Sequence, residues 1–121
     1  MLKAVVSIID DDGVVRNSIQ SLLESFGYNV HTFASAEEFL TSRQLHQTSC
    51  VISDVQMPGL SGIELQERLR TEGYRIPVIL VTGYPECVRQ RAMQTGAASF
   101  LSKPISESNL IRCLDRALKG G

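Results

Sequence analysis

Apolar runs of strand length recur five times along the chain, at Ala4 to Ile9, Tyr28 to Phe33, Cys50 to Ser53, Pro77 to Val81 and Ser99 to Leu101, and an amphipathic segment follows each. This alternation leaves few solutions. Strands joined through helices run parallel, and a parallel sheet needs helices over both faces with right-handed crossovers. In the first helix Val15, Ile19, Leu22, Leu23 and Phe26 fall at helical spacing, and Gly27 stops it. The next two helices open with capping boxes, Ser35 with Glu38 and Ser61 with Glu64. The last carries Leu110, Ile111, Leu114, Ala117 and Leu118 on one stripe and ends at Gly120-Gly121. Between Glu86 and Thr95 only Val88, Ala92 and Met93 can anchor a helix, so this element is expected to be the most weakly held. At 121 residues, 43% of them hydrophobic, the chain suits one domain over 1–121 with its own core.

Four of the runs stop at chemically useful residues. Asp10-Asp11-Asp12 follows the first, Asp54 the third, Thr82 the fourth and Lys103-Pro104 the fifth. Open α/β sheets bind ligands outside the carboxyl ends of their strands, where the strand order reverses. With the order 2-1-3-4-5, that point lies between strands one and three, which brings Asp10, Asp11 and Asp54 together and sets Thr82 and Lys103 alongside. Clustered carboxylates repel by about 1 to 4 kcal/mol per pair at roughly 4 Å, so a cation belongs among them. Mg²⁺ suits such a site because it takes oxygen ligands and binds a carboxylate or two together with a phosphate; Mn²⁺ could substitute. Lys103 adds a second positive charge on a flexible stem. A hydroxyl, an ammonium and a metal around one carboxylate form a clamp for a phosphoryl group, with Asp54 as the nucleophile that becomes an aspartyl phosphate.

Five stretches in register carry a family resemblance: Ile9-Asp10-Asp11-Asp12, the segment from Asp54 through Met57-Pro58-Gly59 to Gly62, Val81-Thr82-Gly83, the segment from Gly96 to Phe100, and Leu101-Ser102-Lys103-Pro104. Over its whole length the chain resembles the receiver domains of two-component response regulators, most of all the nitrogen-fixation-regulator (FixJ-like) subgroup. The resemblance implies a doubly wound (βα)5 flavodoxin-like fold. It implies that Asp54 is the phosphoacceptor and that Asp10 and Asp11 hold Mg²⁺, with Asp11 a direct ligand and the backbone carbonyl of Gln56 another. Thr82 matches the switch hydroxyl, Phe100 the switch aromatic and Lys103 the phosphate-contacting lysine, with a cis bond before Pro104. The implied donor is a sensor histidine kinase. The implied response is a change of the face formed by the fourth helix, fifth strand and fifth helix, with phosphorylation-dependent dimerisation there. A DNA-binding output beyond Gly121 would make the chain the regulatory part of a transcription factor; a stand-alone relay or docking module would carry the same motifs.

Other residues weigh less. Asp12 reads as a helix N-cap, since Val14 and Val15 begin a helix directly after it. Gln56 and Tyr84 each lie two residues past a site residue, Asp54 and Thr82, and are expected to border the path of a hydrolytic water. His31 and His46 are expected on the surface, and Arg89 and Arg91 on a solvated face. The net charge of −1 offers no footprint for direct nucleic-acid or membrane binding. Three scattered cysteines, Cys50, Cys87 and Cys113, fit reduced thiols, and the first apolar run is too short for a leader or a membrane span, so a cytoplasmic protein is expected. An FMN binder would need a phosphate-cradling loop where the acids stand. A haloacid-dehalogenase-type phosphatase would need an acid at Gln56, so turnover as an enzyme is not expected beyond self-phosphorylation and autodephosphorylation.

Overall fold

In a computed structural model, residues 4–119 are described, apart from the side chains of Cys87 and Val88. Five parallel strands, β1 (Val5–Ile9), β2 (Asn29–Phe33), β3 (Cys50–Asp54), β4 (Val78–Thr82) and β5 (Ser99–Ser102), lie in the order β2-β1-β3-β4-β5. The helices are α1 (Gly13–Ser25), α2 (Ala36–Leu40), α3 (Gly62–Thr71), α4 (Pro85–Gln94) and α5 (Glu107–Lys119). This is the doubly wound flavodoxin-like fold the alternation and the resemblance point to.

The apolar side chains divide over two faces because strand residues alternate. Ile9, Val51, Val55, Val78 and Leu80 join Phe39, Leu65, Leu69 and Ala92 beneath α2, α3 and α4. Val6, Ile8, Ile52, Ile79 and Val81 join Ile19, Leu23, Leu110 and Leu114 beneath α1 and α5. Strands β3 and β4 are therefore buried at every position, which explains why Cys50–Ile52 and Val78–Val81 read as unbroken apolar runs rather than as alternating ones.

Local expectations meet a few corrections. Phe26 is 59% exposed instead of packing at the end of its stripe. The cause is a Schellman turn: Tyr28 N donates to Leu23 O, Gly27 N donates to Glu24 O and Gly27 takes φ 90°, so Tyr28 packs in where Phe26 is turned out. Met93 is 52% exposed, because Ala92 and the C-cap residue Thr95 take the buried positions and leave Met93 and Gln94 between them outside. Val88 and the ending Gly120-Gly121 lie outside what is described. The Ser61–Glu64 capping box is complete, whereas at Ser35 only one half forms, with Glu38 N donating to Ser35 Oγ. A short 3-10 segment, Arg43–Gln47, precedes β3 without a sequence signal of its own. It is polar apart from Leu45 and carries no period that marks a helix.

Candidate functional site

Asp54 is the last residue of β3, between β1 and β4, so its carboxylate emerges at the centre of the sheet's carboxyl end. Asp10 and Asp11 leave β1 beside it. One carboxylate oxygen from each of the three lies within 4.8 Å of the others. Lys103 arrives from β5, its backbone N donating to Thr82 O at 2.8 Å, and the bond to Pro104 is cis as expected. Its Nζ is 3.4 Å from Asp54 Oδ2 and 3.5 Å from Asp10 Oδ2.

The acids are not equivalent. Asp10 is 3% exposed and both its oxygens are engaged, Oδ1 by Asp12 N at 2.8 Å and Oδ2 by Lys103. Asp11 is exposed, and one of its oxygens belongs to the three-carboxylate cluster. Burial, and then the charge of Asp10, push the Asp54 carboxyl above the usual aspartate range, with Lys103 opposing the shift. Burial alone would lower the Lys103 ammonium, but Asp54 and Asp10 outweigh it and raise it, so it stays charged near neutral pH. Three carboxylates against one ammonium leave a net negative hole suited to a hard divalent cation.

Thr82, at the end of β4, is fully buried. Its hydroxyl donates to Gln56 Oε1 at 2.7 Å and accepts from Tyr84 N at 3.0 Å. Among the described residues it makes no bond to Asp54. Phe100 is half-buried on β5 against the core beneath α4. Tyr84 is 66% exposed and caps α4, which begins with Pro85.

Two further residues shape the site without any local sequence signal. Arg16 NH1 donates to Asp10 O at 2.6 Å, tying α1 to the loop that carries the acids. Glu37 Oε2 accepts from Leu60 N at 3.0 Å and holds the β3–α3 loop, in which Gln56 sits. That loop needs glycine twice. Gly59 takes φ +78° beside the Glu37 carboxylate, and a Cβ at Gly62 would collide with the backbone carbonyl of Asp54.

The weaker candidates settle as structural residues. Asp12 caps α1, accepting from Val14 N at 2.9 Å and Val15 N at 3.4 Å. His31 is half-buried in β2, deeper than expected, and His46 lies exposed against Tyr74. Arg89 and Arg91 are exposed, with Arg91 NH2 3.7 Å from Glu67. Cys50 and Cys113 are unbridged, and burial pushes the Cys50 thiol up to about 12, which makes it inert. Among the described residues no helix is long and apolar enough to cross a membrane.

Comparison with known proteins gives the same picture. Residues 6–115 match the response regulator receiver domain model. The chain is 36% identical over 118 residues to the transcriptional regulatory protein FixJ of Bradyrhizobium diazoefficiens, covering 97% of this chain and 58% of that protein. It is 41% identical over 110 residues to nodulation protein W of the same organism, covering 90% of this chain and 48% of that one. It spans about half the length of these relatives. The crystal structure of FixJ-N superposes with a TM-score of 0.86 at 33% identity, covering 98% of this chain and 96% of that one. The chain belongs to the receiver domains of response regulators.

Proposed function

We propose that this domain is a phosphorylation-controlled switch whose acceptor is Asp54. The observation that carries this reading is the Asp54 carboxylate, buried, 3.4 Å from Lys103 Nζ and close to Asp10 and Asp11. An Asp54 oxygen attacks the phosphorus of a phosphohistidine on a sensor kinase. The O–P bond forms as the N–P bond breaks, and the bonding pair stays on the imidazole nitrogen. Burial, which makes Asp54 more basic, also makes it a better nucleophile. Asp11, Asp54 and the Gln56 backbone carbonyl would hold Mg²⁺, or Mn²⁺ in its place, with Asp10 behind them; bound there, the metal offsets charge on the phosphoryl oxygens. Lys103 then transfers its ammonium from Asp54 to the phosphoryl group, and Thr82 turns its hydroxyl to the same group.

A donor helix must reach Asp54 from outside. An apolar groove of about 300 Å³ between α1 and the start of α5, lined by Val15, Ile19, Ile105 and Leu110, adjoins the site through Lys103, and Val14 on its rim is 75% exposed. The kinase seats there.

A hydrogen bond to a charged group is worth roughly 1.5 to 3 kcal/mol, whereas throwing a two-state switch from 1:99 to 99:1 takes about 5.5 kcal/mol. Thr82 and Lys103 therefore act together on the face of α4, β5 and α5, through Phe100, and dimerisation there completes the change. The domain acts in the cytoplasm as the regulatory part of a longer regulator with transcriptional output, a reading supported by the names of its relatives and the half of their length it spans. It turns over no substrate of its own and makes no direct contact with nucleic acid. Incubation with acetyl phosphate and Mg²⁺ should add one phosphoryl group and shift sedimentation from monomer to dimer, and EDTA should block both. A chain that stays unmodified would refute the proposal. Tyr84, exposed beside Thr82, screens the phosphoryl group from water, so Tyr84→Ala should shorten its lifetime several-fold; an unchanged decay rate would remove that role.

A further inference from the structure

We propose that Gln56 is a latch on the switch: in the resting domain its side chain takes the only proton of the Thr82 hydroxyl, and phosphorylation must break that bond. This rests on Asp54 as the phosphoacceptor. Thr82 Oγ1 is fixed from both sides, donating to Gln56 Oε1 at 2.7 Å and accepting from Tyr84 N at 3.0 Å. A hydroxyl carries one hydrogen and cannot donate to Gln56 and to a phosphoryl oxygen at once. The two states are thus mutually exclusive at one atom. Gln56 is exposed while Thr82 is fully buried. On release the Gln56 carbonyl finds water, but a Thr82 hydroxyl freed before the phosphoryl group arrives finds none, so the latch favours rest until the anion is in place.

Gln56 is a positioning residue, and Gln56→Met tests it by keeping its length while removing the acceptor. Titration with beryllofluoride in the presence of Mg²⁺ reads the equilibrium without any contribution from hydrolysis, which separates a latch from a screen against water. Loss of one neutral hydrogen bond from the resting state should tighten beryllofluoride binding by about 2- to 12-fold. In a Thr82→Ala background, Gln56→Met should then change nothing, because no proton is left to hold. Equal or weaker binding by Gln56→Met, or the same gain without the Thr82 hydroxyl, would overturn the latch. A wild-type chain that shows no Asp54-dependent beryllofluoride binding would instead overturn the phosphoacceptor reading. Independently of any anion, Thr82 side-chain couplings in solution should report one χ1 rotamer in the resting wild type and averaging in Gln56→Met; averaging in both would also refute it.

Discussion

Asp54→Asn is expected to abolish phosphoryl transfer completely and, at the same time, to make the metal-free domain more stable. The amide cannot act as the nucleophile, so acetyl phosphate with Mg²⁺ should leave the variant unmodified by mass. The stability gain comes from the site's electrostatics. Burial and the charge of Asp10 raise the Asp54 pKa in the folded state, so the native protein holds its proton more tightly than the unfolded chain does. Stability then falls as pH rises through the interval between the unfolded and folded pKa values, and above it the whole penalty is present. Asparagine lacks that penalty. Near neutral pH the variant should be more stable by on the order of 1 kcal/mol, after the lost attraction to Lys103 is set against the relieved repulsion. The difference should close on acidification below the ordinary aspartate range and shrink when Mg²⁺ is added to the wild type. Urea unfolding across pH measures all three, and a variant less stable than the wild type near neutral pH would contradict this account of the acidic cluster.

Lys103→Met should have the opposite effect on the resting domain. Methionine keeps most of the stem but takes the ammonium away from Asp54 and Asp10, which are 6% and 3% exposed. Removing one member of a buried charge pair costs about 3 to 5 kcal/mol; because the Lys103 side chain is 29% exposed, the expected loss is smaller, about 1 to 2 kcal/mol. Mg²⁺ should restore much of it. The functional loss should persist with metal bound, since the phosphoryl group would lack a charge-assisted partner worth roughly 1.5 to 3 kcal/mol, equivalent to about a 10- to 150-fold drop in beryllofluoride affinity. Wild-type affinity in this variant would exclude Lys103 from the clamp.

What could be read in the sequence was local or periodic. Strands such as β4 were legible because Val78–Val81 is an unbroken apolar run, and the N-cap at Asp12 and the capping box at Ser61 because each is a pattern a few residues long. The cluster of Asp10, Asp11 and Asp54 followed once the strand order was assumed, since a topological rule brings those ends together. Contacts between distant residues left no trace. Glu37 meets Leu60 across 23 positions and Thr82 meets Gln56 across 26, and neither spacing belongs to any repeat. Position two past Asp54 marked Gln56 as bordering the site, but not the direction of its side chain. Phe26 was misplaced for a related reason: helical spacing assigns a face only while the helix lasts, and the turn at Gly27 reverses the facing of the residue before it.

The floor beneath Asp54 is rigid, and that decides where motion can occur. Val55 N is held by Val81 O at 2.9 Å, Gly62 N by Val55 O at 3.0 Å, and the bare Cα of Gly62 lies against the Asp54 carbonyl, so neither sheet nor α3 leaves slack at the acceptor. β5 is different: it is a short edge strand with one paired side, and Phe100 on it is only half-buried. Two rows of backbone groups clamp a central strand, while one clamps an edge. A charge deposited at the centre therefore cannot be absorbed by yielding on the spot. On the proposed function, the strain would run outward through Thr82 and Lys103 to the compliant margin, so that a tightly bonded core would serve two different outer surfaces.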